Sequence, residues 1–219
     1  MTPDPYLQDY YCARAAEYEQ IYYRDVPERR REIDEQVLRL RELVNGRRVL
    51  DLACGTGYWT RVIAETAKEV LATDMSEEML KQARGKEYRA PVEFLRADMF
   101  EYPFERTFDC VTVGFWFSHQ PRQLYQQFFD VVKRPLLKDG QIWLIDNNPP
   151  AEGPKVESVR IDEYGNNYKR RYLDDGTEFT ILKNYFGEEE LRNIFQEQFK
   201  IRELTYGNCY WSAVLEPGS

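Results

Sequence analysis

The sequence predicts an α/β fold, a mostly parallel sheet with helices on both faces. Three observations predict it. From Arg48 onward, apolar runs of strand length alternate with helical patterns. One run, Val49-Leu50-Asp51-Leu52, passes into the tight turn Ala53-Cys54-Gly55-Thr56-Gly57 and then into a helical stretch. A second acid, Asp74, closes the next apolar run 74 − 51 = 23 residues after Asp51. Glycine has no Cβ, so such a turn brings backbone N–H groups close to a ligand. An acid about 20 residues further on is placed to accept ribose hydroxyls. The expected ligand therefore contains a nucleoside.

Each element has its own signal. Residues 6–22 read as an aromatic-rich helix with Tyr6, Tyr10, Tyr11, Tyr18 and Tyr22. Residues 27–44 read as a helix opened by Pro27, with Ile33, Val37, Leu40 and Val44 at helical spacing. Its Arg29-Arg30-Arg31 run reads as a solvated face. Strands are expected at 48–52, 70–74, 92–96, 108–113 and 141–145, the last after an Asp139-Gly140 turn. Helices are expected at 57–66, at 76–84 with Ser76 as N-cap, and at about 121–137. Residues 147–167, rich in proline, glycine and asparagine, read as a loop. A hairpin, 168–173 and 177–183, turns at Asp174-Asp175-Gly176, and a helix at 187–198 precedes two final strands.

Bulk properties narrow the function. At 219 residues the chain is one domain of ordinary size. Its net charge of −8 gives no general drive toward nucleic acid or anionic lipid. Cys12, Cys54, Cys110 and Cys209 form no CxxC pair and read as reduced thiols. No secretory signal is visible and no apolar run nears the roughly 20 residues of a membrane helix. A cytoplasmic protein is expected, and its oligomeric state is not readable. The only histidine is His119, which limits metal and triad chemistry.

The glycine turn itself selects among nucleoside ligands. A dinucleotide site wants G-x-G-x-x-G, but from Gly55 the third glycine is replaced by Thr60. A P-loop would need Gly-Lys-Ser/Thr, which is absent. The turn suits a nucleoside without a cradled diphosphate.

Over residues 45–146 the chain resembles the class I S-adenosylmethionine (SAM) methyltransferases. Asp51-x-Ala53-Cys54-Gly55-Thr56-Gly57 is similar to the family's first motif, with Ala53 in place of its usual first glycine. Asp74, Ala97-Asp98-Met99, Phe108-Asp109-Cys110-Val111-Thr112-Val113 and Leu136-Leu137-Lys138-Asp139-Gly140 follow in the family's order. The resemblance implies a Rossmann-like sheet, mostly parallel with its last strand antiparallel, an N-terminal helical lid, and a β-hairpin inserted after the fifth strand. It implies one domain: a lid at 1–45, a SAM-binding core at 46–146, a substrate-side loop and hairpin at 147–186, and a final helix and strands at 187–219. It implies SAM as cofactor and S-adenosylhomocysteine (SAH) as product. Gly55 and Gly57 then approach the methionine portion, Asp74 takes the ribose, and Asp98 with the Met99 N–H reads the adenine. Asp51, Ala53, Trp59, Met75 and Phe115 complete the cofactor contacts.

The methyl acceptor is read from other residues. A carboxylate or phosphonate is already ionised and needs a cationic grip; a phenol or amine needs a base. A three-residue hairpin loop puts Arg171 and Leu173 on one face with Phe179, Ile181 and Lys183, whereas a two-residue turn would bring Arg170 there instead. Cations on a buried face require anionic partners, either substrate or the chain's own acids such as Glu178 or Asp162.

A narrower set of motifs bears on that choice: Tyr10-Tyr11-x-Ala13-Arg14-Ala15-x-Glu17-Tyr18, Gly57-Tyr58-Trp59-Thr60-Arg61, Phe115-Trp116-Phe117-Ser118-His119-Gln120-Pro121 and Arg170-Arg171-x-Leu173-x-Asp175-Gly176 with Lys183. They resemble the phosphonate O-methyltransferase group of dehydrophos biosynthesis along nearly the whole chain. That resemblance implies that Arg171 and Lys183 grip an anionic substrate with a tyrosine near Tyr22, Tyr23 and Asp25, of which Tyr23 is the candidate. It also implies that Tyr11, Arg14 and Tyr18 of the lid face SAM. His119, after the fourth strand, can orient the nucleophile, act as a base, or be a neutral histidine bonded to a loop carbonyl. Trp116 can wall the methyl site or pack. No metal is expected: Asp146-Asn147 follows the fifth strand, but Gly114-Phe115 stands where a metal centre would want a carboxylate. The expected function is O-methylation of a small, anionic molecule; the alternatives are N- or S-methylation with His119 as base, and a SAM-binding module without turnover.

Overall fold

The computed structural model describes residues 10, 11, 13, 26–149, 158–173 and 175–218. A seven-stranded sheet has the order β3-β2-β1-β4-β5-β10-β9. Its strands are β1 (Arg48–Leu52), β2 (Glu69–Asp74), β3 (Val92–Arg96), β4 (Phe108–Gly114), β5 (Leu136–Asn147), β9 (Phe199–Tyr206) and β10 (Tyr210–Pro217). The first five pair in parallel, and β10 runs antiparallel to both β5 and β9. The sheet order reverses at β1 and β4, so the crevice for a ligand opens at their carboxyl ends.

Alternation along β1 builds two cores. Leu50 and Leu52 face one side, where they meet Phe128 and Val132 of α4 (Tyr125–Lys133) and Leu191 and Phe195 of α5 (Glu188–Gln196). Val49 faces the other, toward Leu40 and Val44 of α1 (Pro27–Val44) and Val62 and Ile63 of α2 (Tyr58–Ala64). α3 (Glu77–Arg84) begins where the Ser76 hydroxyl accepts the Met79 N–H at 3.2 Å, with Glu77 and Glu78 in its positive first turn. Among the described residues no helix is long and apolar enough to cross a membrane.

A second sheet, β6-β7-β8, stands beside the carboxyl edge: β6 (Ser158–Ile161), β7 (Asn167–Tyr172) and β8 (Glu178–Leu182). Gly176, at φ +85°, donates to the Leu173 carbonyl, and Leu173 donates to Thr177, closing a three-residue loop. Arg171 pairs with Phe179 and Lys169 with Ile181, so Arg171 takes the inner face. Arg170 points the other way and bridges Glu178 at 3.0 Å.

Three expectations need correction. Residues 158–161, read as loop, form an edge strand whose four side chains are all exposed, so no burial pattern marks it. The helix expected over about 121–137 is a 3-10 turn, Arg122–Leu124, followed by α4 alone. Asp139-Gly140 is not a turn but lies within β5, where Gly140 packs against Leu136 so tightly that a Cβ would sit 2.8 Å from its Cδ2. Of the expected helix at 6–22, residues 10, 11 and 13 are helical and the others lie outside the described residues.

Candidate active site

Cofactor-side candidates gather at the carboxyl ends of β3, β2, β1 and β4. Ala53, Gly55 and Gly57 all adopt positive φ, at 51°, 57° and 83°. The turn thus curls back, and Gly57 caps α2 without a side chain. Asp51 is buried beneath it. Its carboxylate accepts the Thr60 hydroxyl at 2.6 Å and the Thr112 hydroxyl at 2.8 Å, locking β1, α2 and β4 together. Burial pushes its pKa up to about 6, against the lowering effect of both hydroxyls. Asp51 therefore holds the turn from below.

Asp74 accepts the Gly55 N–H at 2.9 Å on one oxygen and the Ser76 N–H at 2.9 Å on the other. Each oxygen retains a second lone pair, so the residue that shapes the turn can also accept hydroxyls. Burial raises its pKa, opposed by these backbone donors. Asp98 accepts the Phe100 N–H through Oδ1, which orients the loop carrying the buried Met99. The Met75 carbonyl accepts from Arg96 Nε at 3.0 Å, so Met75 is fixed beside Asp74. Phe115 sits at φ +58° on the last turn out of β4, with Trp59 6.2 Å away. Backbone turn, two acids and the β4 exit thus lie along one edge of the sheet. Carboxylate acceptors beside a glycine turn, without a diphosphate cradle, fit a nucleoside sulfonium.

The acceptor-side candidates lie across the exit of β4. A 3-10 turn, Phe117–His119, brings Ser118 and His119 against the end of β8. His119 Nδ1 is 2.6 Å from the Leu182 carbonyl and Nε2 is 2.7 Å from the Tyr11 hydroxyl. A carbonyl only accepts, so Nδ1 carries the proton and Tyr11 donates to Nε2. Burial first, and Lys183 next, lower the His119 pKa to about 3, so the ring is neutral. Tyr11 packs edge-on against both His119 and Tyr10, and Tyr10 against Phe179 of β8. The resemblance points Tyr11 at the cofactor; its hydroxyl is engaged with His119.

Lys183 is buried, and its Nζ donates to Ser118 Oγ at 2.5 Å and to Asp146 Oδ1 at 2.9 Å. Asp146 Oδ2 accepts the Ser118 N–H at 2.9 Å. Burial would raise the Asp146 pKa, but Lys183, by charge and hydrogen bond, and the Ser118 N–H hold it below the usual carboxylate range. Lys183 thus already has one anionic partner. Arg171 is half-buried, and among the described residues no carboxylate stands in ion-pair range of it. Beside it lies Lys169, only 8% exposed, whose pKa is lowered by burial and by Arg171. Tyr185 offers its ring to both lysines, at 5.8 and 6.0 Å.

Trp116 stacks on Phe128 at 5.4 Å and leans on Phe100, so one face of it belongs to the core. Arg14, Tyr18 and Tyr23 lie outside the described residues. Sequence reasoning missed Lys169, although it shares parity with Arg171, and Tyr185. It also read Arg29 as solvated; Arg29 donates to the Tyr210 hydroxyl at 3.0 Å and to Asn147 Oδ1 at 3.2 Å, at the carboxyl end of β5. Among the described residues no group of three His, Cys, Asp or Glu side chains could hold a metal.

The chain is similar to known methyltransferases. A family model described as a methyltransferase domain matches residues 49–140. A demethylmenaquinone methyltransferase of Bacillus cereus is 26% identical over 201 residues, covering 84% of this chain and 84% of that protein. Its counterpart from Listeria welshimeri is 34% identical over 122 residues, and there the chain spans about half of the relative, 51%. Among solved structures, the DhpI–SAM–HEP complex superposes with a TM-score of 0.78 at 28% identity, covering 97% of this chain and 96% of that one. The PH0226 protein from Pyrococcus horikoshii OT3 shares the fold, with a TM-score of 0.71 at 23% identity, covering 92% of this chain and 99% of that one.

Proposed function

Because the chain is a class I SAM-dependent methyltransferase acting on small molecules, we propose that it methylates an oxygen of an anionic acceptor, a carboxylate or phosphonate. The observation that carries this reading is the hairpin's inner face, where Lys169, Arg171 and Lys183 converge beside the β4 exit. Likeness to DhpI, crystallised with SAM and HEP, supports it. The three free cysteines among the described residues suit a reducing, cytoplasmic setting.

The roles follow from position. Gly55, Gly57 and the Gly114-Phe115 backbone receive the methionine portion, Asp74 the ribose, and Asp98 with Met99 the adenine. When bound, SAM supplies an electrophilic methyl on a positive sulfur. Arg171 and Lys169 hold the acceptor's anion so that one oxygen faces that methyl. Lys183, neutralised by Asp146, contributes N–H direction more than net charge. The acceptor is ionised before it binds, so no base is needed. Tyr10, Tyr11 and Trp116 exclude water. N- or S-methylation with His119 as base would need a lone pair that titrates near neutrality, and His119 sits near 3.

Incubation with labelled SAM and a panel of small phosphonates, carboxylates, phenols and amines tests the reading. Label is expected on an acid, and Arg171→Ala is expected to raise its KM at least tenfold with the SAM Kd unchanged. Label on amines alone, or an unchanged KM in Arg171→Ala, overturns it.

A further inference from the structure

We propose that His119 is a positioning residue that ties the N-terminal helical segment to the hairpin, closing the acceptor pocket through the Tyr11 hydroxyl, and is not a base. The inference deepens the methyl-transfer reading and rests on it for its kinetic consequences.

The geometry of the two ring nitrogens carries it. Nδ1 donates to the Leu182 carbonyl at 2.6 Å, and Nε2 accepts from Tyr11 at 2.7 Å. Both nitrogens are therefore engaged by the protein, and neither is left to take a proton from an acceptor. The two partners come from different parts of the chain: Leu182 ends β8, and Tyr11 lies on the N-terminal segment. His119 is the joint between them.

Around that joint the segment and the hairpin share an apolar seat. Tyr10, 1% exposed, packs with Ile181, Leu173 and Phe179. The hairpin is stitched to the 117–119 turn a second and third time, by Lys183 to Ser118 Oγ and by the Asn184 N–H to the Ser118 carbonyl at 2.8 Å. The same turn thus holds both the end of the hairpin and, through His119, Tyr11. The charged groups acting on the ring are Lys183 and Arg171 of the hairpin and its extension, and Asp146 of β5. Burial first, and then two cations against one anion, keep the ring neutral, the state in which Nε2 can accept.

Glutamine separates a tie from a base, because its Oε1 can accept from Tyr11 near the Nε2 position and has no proton to titrate. Hydrogen–deuterium exchange of the backbone at 10–13, with SAH bound, is expected to quicken about tenfold in Tyr11→Phe and His119→Ala and to return toward wild type in His119→Gln. This readout needs no acceptor, so it decides the tie even if no acid in the panel is methylated. With the acid that accepts label, Tyr11→Phe is expected to raise KM five- to tenfold, and the double variant Tyr11→Phe/His119→Gln no further. His119→Gln is expected to rescue kcat with the wild-type pH profile between 6 and 9. Unchanged exchange in both Tyr11→Phe and His119→Ala overturns the tie. A kcat loss of a hundredfold or more in His119→Gln, with wild-type exchange, establishes a base instead.

Discussion

Lys183 and Asp146 form a buried ion pair, Nζ to Oδ1 at 2.9 Å, with the carboxylate wholly inaccessible. The Ser118 N–H satisfies the other carboxylate oxygen, and the Asn147 N–H shares the first. Such a pair contributes little net energy when intact, because desolvation offsets the attraction. Removing one partner is another matter. Asp146→Asn is expected to destabilise the protein by about 3–5 kcal/mol, since Lys183 would stay buried without its anion. Asp146→Asn/Lys183→Met removes both charges and is expected to regain at least half of that loss in urea unfolding.

Asp51 makes a pH-dependent contribution of opposite sign to that of His119. Its carboxyl is raised from 3.8 to about 6, so the folded state holds the proton more tightly. The stability it gives is present below pH 3.8 and is lost as pH rises through 6. His119 is lowered from 6.5 to about 3, so its stability is present above 6.5 and is lost as pH falls toward 3. Asp51→Asn removes only the first. Relative to wild type, its unfolding free energy is expected to rise by roughly 2–3 kcal/mol between pH 4 and pH 7. Urea titrations at the two pH values measure this difference, from which His119 cancels. A flat difference would show that Asp51 does not titrate in this range.

The cofactor half of the candidate site was legible because each of its parts is local. Gly55, Asp74 and Asp98 each follow a strand whose apolar run marks it, and parallel pairing carries all three ends to one edge. The acceptor half depends on contacts between distant residues. In sequence Asp146 is weighed only against a metal centre, which is not expected there, and only the approach of Lys183, from beyond the hairpin, makes it an ion-pair partner. Likewise Tyr11 and His119 are 108 residues apart, so nothing local links them. Lys169 was legible in principle, since the three-residue turn that placed Arg171 inward also places Lys169 there. The edge strand at Ser158–Ile161 was not, because with every side chain exposed it has no apolar alternation to read.

Gly114 and Trp59 test whether close packing at the β4 exit sets cofactor affinity. A Cβ on Gly114 would lie 2.6 Å from Trp59 Cδ1 and 3.0 Å from its Nε1. Trp59 has little room to yield, being buried and braced edge-on against Trp143 at 5.0 Å. It is also the second residue of α2, directly after the glycine turn. Gly114→Ala must therefore displace the indole, and with it the first turn of the helix that holds Gly57. Overpacking of this kind costs about 1–3 kcal/mol. Calorimetry with SAH is expected to show affinity weakened more than tenfold, beyond the loss of stability in urea. Trp59→Phe in the Gly114→Ala background shortens the obstructing ring and is expected to recover part of both. Undiminished SAH affinity in Gly114→Ala would mean that the turn and the β4 exit bind the cofactor independently of the indole between them.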